Sequence, residues 1–141
     1  MKYSLGPKSL AKLDGVHPDL VRVVKRAIAI TRQDFVVLEG IRTPARQAEL
    51  YAQGRTKPGP KVTWTMTSNH FRKADGYGHA VDICPFPVDW NTPSKFDDIA
   101  DAMERAAKAE GVAIRSGMDW DRDGKRREVK ETDSPHFELA R

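Results

Sequence analysis

Three of the four histidines in this 141-residue chain lie close to aspartates, in two short segments. The histidines and aspartates of these segments are His70, Asp75, His79 and Asp82 in the first, and Asp133 and His136 in the second. A catalytic zinc ion takes about three protein ligands from His, Asp, Glu or Cys and keeps one position open for water. Together the two segments could supply such a ligand set with one carboxylate left over.

The remaining carboxylate would have a chemical use beside a zinc ion. Zinc lowers the pKa of its bound water towards about 7, and a nearby carboxylate can accept the proton as that water attacks a carbonyl. Asp133 is the candidate for this role, because Pro135 keeps the segment extended and could set the carboxylate beside His136. Spacing alone leaves open the alternative of ordinary polar loops on a basic surface. The fourth histidine, His17, precedes Pro18 and is expected to cap a helix or to lie at the surface.

Hydrophobic periodicity and capping residues predict the elements that must position these side chains. The predicted helices span 18–30, 43–54 and 94–111, and the predicted strands span 35–39, 112–115 and 136–139. Thr43 and Ser94 are the expected N-caps of the second and third helices, and Gly111 is the expected end of the third. Helices mixed with short strands predict a small α+β fold, and the length suits a single domain, 1–141, with one core.

Composition and charge describe a globular protein with a basic surface. Hydrophobic residues make up 39% and charged residues 31%, and the net charge is +4. A basic protein favours a polyanionic partner, and nucleic acid, anionic lipid and bacterial cell wall all meet that description. No apolar run is long enough to cross a bilayer, and the N-terminus lacks the apolar stretch of a signal peptide. Cys84 is the only cysteine, which excludes an internal disulfide and favours a buried thiol in a reducing cytoplasm.

A third acidic segment has the opening pattern of a calcium-binding loop. Asp119, Asp121 and Asp123 alternate along the chain and are followed by Gly124. This spacing suits oxygen ligands around Ca²⁺, but Lys130 stands where an EF-hand needs a bidentate glutamate. An ordinary acidic turn is therefore the competing interpretation.

Short motifs along the chain resemble those of a known family. The motifs are SNH at 68–70, GHAVD at 78–82 and DSPHFEL at 133–139. They are similar to the three signature pieces of the zinc D-alanyl-D-alanine carboxypeptidases and L-alanyl-D-glutamate endopeptidases. The segment 40–51 resembles the arginine segment of that family, and 116–120 resembles a stretch found in its bacteriophage members. The likeness covers almost the whole chain, with the motifs in the right order.

The resemblance implies a site and a fold. Position by position, it implies zinc ligands at His70, Asp82 and His136, with Asp133 as the general base. It also implies that Arg42 lies near the metal and stabilises the oxyanion formed at the scissile carbonyl. The family fold is a small α+β domain with a central antiparallel sheet, flanked by helices, that carries zinc on one face.

The chain departs from the family pattern between the first two implied ligands. More residues separate His70 from Asp82 than in the common form of the family. A glycine-containing loop could absorb the additional residues without moving either ligand. The departure nevertheless leaves open that His79 or Asp75 replaces one of them.

The leading hypothesis is a zinc metallopeptidase that hydrolyses peptidoglycan stem peptides, acting as an L-alanyl-D-glutamate endopeptidase in phage lysis. The alternatives are a D-alanyl-D-alanine carboxypeptidase of the same family, a small metal-dependent nuclease, and a non-catalytic wall-binding module with structural zinc. The leading hypothesis predicts a monomer that binds peptidoglycan and neither binds nucleic acid nor inserts stably into a membrane. Such an enzyme would wait in the host cytoplasm until a separate membrane-permeabilising protein gave it access to the wall in the periplasm.

Overall fold

The structure is a computed structural model that describes residues 3–40, 52, 53, 56, 76–117 and 135–140. In chain order, the elements are α1 (Pro7–Lys12), α2 (Pro18–Ile30), β1 (Phe35–Glu39), β2 (Ala80–Pro85), α3 (Pro93–Glu110), β3 (Ile114–Ser116) and β4 (His136–Leu139). The predicted strands at 35–39 and 136–139 are confirmed. The predicted helix at 43–54 lies almost wholly outside the described residues.

Helix α2 has the bounds that its apolar spacing predicts. Leu20, Val23, Val24, Ala27 and Ile28 recur on one face, and all five are buried. His17 is the N-cap, as expected, because its Nδ1 accepts a hydrogen bond of 3.0 Å from the backbone N–H of Asp19. The amphipathic pattern therefore locates both the helix and the face that meets the core.

Helix α3 begins earlier than predicted and ends where expected. Its N-cap is Thr92 rather than Ser94, and Pro93 occupies the first turn, where a missing N–H costs nothing. The Thr92 hydroxyl donates to the Asp89 carboxylate at 2.8 Å, so it does not cap the helix through its side chain. The helix stops at Gly111, whose φ of 70° is the left-handed conformation that glycine adopts readily.

Four antiparallel strands form one sheet in the order β1-β2-β4-β3. The central pair, β2 and β4, is therefore flanked on both sides, and β4 comes from the far end of the chain. Strand β3 starts two residues later than the predicted strand at 112–115. The backbone N–H of Val112 still donates to the carbonyl oxygen of Ala107 in α3, so this residue closes the helix before the strand begins. An antiparallel sheet with helices confirms the α+β prediction.

The apolar core lies on the face of the sheet that the helices cover. Val81 and Ile83 of β2 and Phe137 and Leu139 of β4 are at most 3% exposed, and they belong to one buried cluster with α2 and α3. Because side chains alternate along a strand, Asp82, His136 and Glu138 point to the opposite face. One strand pair thus supplies the core on one side and polar chemistry on the other.

Ion pairs between the helices and a buried thiol on β2 complete the packing. Helices α2 and α3 are joined by ion pairs from Arg22 and Arg26 to Glu110. The hydrogen bond from Arg26 is the largest of several causes that hold the pKa of Glu110 below its usual value. Cys84 on β2 is buried, as predicted, and burial raises the pKa of its thiol to about 11.

None of the helices in the described residues is long and apolar enough to span a membrane.

Candidate metal centre

Asp82 and His136 are brought together by the register of the two central strands. The residues are direct partners across the antiparallel pair of β2 and β4. The backbone N–H of Ile83 donates to the carbonyl oxygen of Pro135 at 2.8 Å, and this bond flanks the pair rather than joining it. In antiparallel sheets, such non-hydrogen-bonded pairs hold their side chains closest together.

The distance between the two side chains fits a shared metal ion. His136 Nδ1 lies 3.4 Å from Asp82 Oδ1, which is longer than the N–H···O distances of roughly 2.7–3.2 Å in ordinary hydrogen bonds. Zinc binds nitrogen and carboxylate oxygen at about 2.0–2.2 Å in tetrahedral geometry, so two of its ligands lie roughly 3.3–3.5 Å apart. The described donor pair therefore fits one edge of a zinc tetrahedron.

The other ring nitrogen of His136 has a carboxylate partner on its own strand. His136 Nε2 lies 2.7 Å from Glu138 Oε1, and both side chains are buried. The second oxygen of this carboxylate, Oε2, lies 3.5 Å from Nη1 of Arg115 on β3. Arg115 and Glu138 are register partners across β3 and β4. A row of polar groups thus runs across three strands of the sheet, from Arg115 through Glu138 and His136 to Asp82.

The remaining predicted site residues lie outside the described part of the chain. These residues are His70, Arg42, Asp133 and Asp75, together with Asp119, Asp121 and Asp123 of the predicted calcium loop. Within 3–40, 76–117 and 135–140, no group of three or more His, Cys, Asp or Glu is arranged to hold a metal ion. The structure therefore describes two of the three residues that the resemblance implies as zinc ligands, and the ligand set itself stays a prediction.

His79 lies against the start of helix α2. Its ring is 5.3 Å from the ring of His17 in an edge-to-face arrangement, and Tyr77 contacts His17 in the same way at 5.4 Å. Such contacts suit aromatic rings that pack together at the rim of a fold. His79 therefore packs against His17, and its replacement of a zinc ligand stays an untested alternative.

Comparison with known proteins identifies the family of this chain. A family model described as phage L-alanyl-D-glutamate peptidase matches residues 1–140. The chain belongs to this family. The match spans nearly the whole sequence, including all the motifs that carried the resemblance.

Relatives of known name agree with this assignment. The chain is 33% identical to the L-alanyl-D-glutamate peptidase of Escherichia phage T5 over 127 residues, covering 88% of this chain and 86% of that protein. It is 31% identical to the peptidoglycan L-alanyl-D-glutamate endopeptidase CwlK of Bacillus subtilis (strain 168) over 120 residues, covering 82% of this chain and 66% of that protein.

Solved structures support the fold. The crystal structure of the L-Ala D-Glu endopeptidase ChiX of Serratia marcescens matches with a TM-score of 0.74 and 33% identity, covering 98% of this chain and 91% of that one. The vancomycin-resistance D,D-dipeptidase VanXYg matches with a TM-score of 0.53 and 16% identity, covering 88% and 50%. At that identity the second likeness concerns the fold alone.

Sequence reasoning missed Glu138 and Arg115 as neighbours of the candidate pair Asp82 and His136. The alternation of His136-Phe137-Glu138 carried a usable signal, because residues two apart on a strand share a face. No comparable signal pointed to Arg115, since its place beside Glu138 depends on which strand pairs with β4.

Proposed function

We propose that this chain is a zinc-dependent endopeptidase that hydrolyses the L-alanyl-D-glutamate bond in peptidoglycan stem peptides during phage lysis. One observation carries the proposal: in a member of the peptidase family, Asp82 and His136 stand 3.4 Å apart on the polar face of the sheet. That separation matches two ligands of one tetrahedral zinc ion. His70 of the first motif is proposed as the third ligand, which leaves the fourth position for water or substrate.

The residues around the ion would divide the chemistry of hydrolysis. A bound zinc supplies Lewis acidity, which lowers the pKa of water and polarises a carbonyl. Asp133 is proposed to accept a proton from the attacking water and to deliver it to the leaving amine. Arg42 is proposed to donate hydrogen bonds to the negative charge that develops on the carbonyl oxygen.

The choice of substrate rests on the named relatives. The phage T5 and Bacillus subtilis relatives and the Serratia marcescens structure are each 31–33% identical to this chain, and all three are named for action on the L-alanyl-D-glutamate bond. The D,D-dipeptidase, at 16% identity, shares only the fold. The net charge of +4 would favour attraction to an anionic cell wall. We further propose a monomeric single domain that reaches the wall from the host cytoplasm through a separate membrane-permeabilising protein.

Digestion of purified peptidoglycan tests the proposal. Mass spectrometry of the soluble products should reveal new free amino groups on D-glutamate, and a zinc chelator should abolish their release until zinc is restored. Release of terminal D-alanine would instead favour the carboxypeptidase alternative. An active protein that neither contains zinc nor responds to the chelator would refute the proposed metal chemistry.

The role of Asp133 needs a variant that separates catalysis from metal binding. Asp133→Asn should lower the turnover number by at least about 100-fold, the usual contribution of a general base. Its zinc content should stay at the level of the unmodified protein, because Asp133 is not among the proposed ligands. A matched Asp14→Asn change, at an exposed position after helix α1, should alter neither quantity. Loss of zinc from Asp133→Asn would reassign this residue to the ligand set.

A further inference from the structure

The carboxylate of Glu138 lies between the proposed ligand His136 and Arg115. Its Oε1 is 2.7 Å from His136 Nε2, and its Oε2 is 3.5 Å from Arg115 Nη1. Only 6% of Glu138 is exposed, so this carboxylate is largely removed from water. A buried carboxylate is costly unless hydrogen-bond donors and positive charge surround it.

The hydrogen bond to Glu138 defines which nitrogen of His136 can bind a metal. An ionised carboxylate only accepts hydrogen bonds, so the contact requires the His136 proton on Nε2. The lone pair of a neutral ring then lies on Nδ1, which is the nitrogen that faces Asp82 at 3.4 Å. Proton placement and ligand geometry therefore agree.

We propose that Glu138 is a positioning residue that orients the His136 ring and holds its proton on Nε2, so that Nδ1 is available to zinc. This inference rests on the proposed function, because it presupposes that His136 is a zinc ligand. Carboxylates that accept a hydrogen bond from a metal-binding histidine fix the ring and raise the basicity of the ligand. Glu138 would therefore act through His136, without touching the metal or the substrate.

Arg115 would in turn hold Glu138 in place. In the described part of the chain, the guanidinium of Arg115 has one polar contact, the one between its Nη1 and Glu138. Its Nε is buried and has no hydrogen-bond partner there. A guanidinium can only donate hydrogen bonds, so this contact occupies Oε2 and leaves Oε1 of the same carboxylate facing His136. The contact at 3.5 Å is long for a hydrogen bond, so we assign Arg115 a smaller effect than Glu138.

Zinc affinity, measured by chelator competition on the full-length protein, tests the role of Glu138. Glu138→Ala should weaken zinc binding by about 10–100-fold, the usual cost of removing such a partner. Glu138→Gln should recover much of that loss, because its side-chain oxygen can still accept the hydrogen bond from Nε2. Arg115→Met should weaken binding by less than Glu138→Ala does.

Glu110→Ala is a matched control, since this glutamate also pairs with arginines but lies between helices α2 and α3. It should leave zinc affinity unchanged. Thermal unfolding of each metal-free variant measures stability separately. If Glu138 had a purely structural role, Glu138→Ala would be less stable but would bind zinc, once folded, as tightly as the Glu110→Ala control. This result would overturn the positioning role.

The ring of His136 offers a direct test that needs no variant. In the zinc-loaded protein with ¹⁵N-labelled histidine, NMR should find a proton on Nε2 of His136 and the metal on Nδ1. A metal on Nε2 would overturn the inference even if Glu138→Ala failed to fold. Unmodified protein that binds no zinc would refute the proposed function itself, whereas zinc binding with equal affinity in Glu138→Ala would refute only the role of Glu138.

Discussion

Gly40 directly follows strand β1 and lies against the end of helix α1, so a single added methyl group should destabilise the fold. A Cβ at this position would overlap the carbonyl oxygen of Lys12 and lie 2.9 Å from Cγ2 of Val16. The oxygen belongs to the backbone and cannot rotate away, so either the strand end or the helix must move. Because Glu39 is the register partner of Asp82, a shift of the strand end would also reach the strand that carries the proposed ligand.

The magnitude follows from two opposing effects of Gly40→Ala. Overpacking against a fixed backbone atom costs up to ~3 kcal/mol. The loss of glycine freedom in the unfolded chain returns about 0.4–1 kcal/mol. The net expectation is a free energy of unfolding lower by ~2 kcal/mol. For a domain near this size, that difference corresponds to a Tm lower by roughly 8 °C.

Urea denaturation of the metal-free protein measures this difference directly. Gly6→Ala is the matched control, since a Cβ there meets nothing within 4 Å and the φ of −76° suits alanine. We expect the control to stay within about 1 kcal/mol of the unmodified protein. If Gly40→Ala were as stable as Gly6→Ala, the close approach of Gly40 to Lys12 would not restrict this position and the reasoning would fail.

Two further predictions concern the pKa shifts. Burial raises the pKa of Cys84 from 9.0 to about 11, so its thiolate fraction near pH 8 should be roughly 100-fold lower in the folded protein. A thiol reagent should therefore label the native protein far more slowly than the urea-unfolded one. Equally fast labelling of both would contradict the buried position. The lowered pKa of Glu110 means that its ion pairs stabilise the fold above the unfolded value near 4.5 and lose this effect as pH falls through the folded value. Glu110→Gln should therefore be less stable than the unmodified protein at pH 7, with a difference that shrinks in acid; a difference independent of pH, measured by urea denaturation, would refute this.

Local sequence patterns predicted the elements in which hydrophobic residues recur with a visible helical or strand period. Helix α2 is long enough for its apolar residues to recur at helical spacing, and the alternation of β4 is visible in four residues. Helix α1, with six residues, and β2, in which Asp82 is the only charged side chain, were not predicted. A short helix shows less than two turns of periodicity, and a run of mostly apolar residues shows little alternation, whereas β4 alternates His and Glu with Phe and Leu.

Part of the candidate site was predicted from local sequence as well, because its motifs are short. Short motifs resembled a peptidase family, and the family model confirms that assignment along residues 1–140. The roles of His70, Asp133 and Arg42 came from those motifs and stay predictions, since these residues lie outside the described part of the chain.

By itself, the sequence determined the residue types available for metal binding, the amphipathic helix that covers the core, and the family. Only the tertiary structure decided that Asp82 and His136 face each other, because their contact depends on the register between strands far apart in the chain. The same holds for the row from His136 through Glu138 to Arg115. Local propensities act over a few residues, whereas strand pairing is chosen by the burial of the whole opposite face, and that choice places the polar groups together.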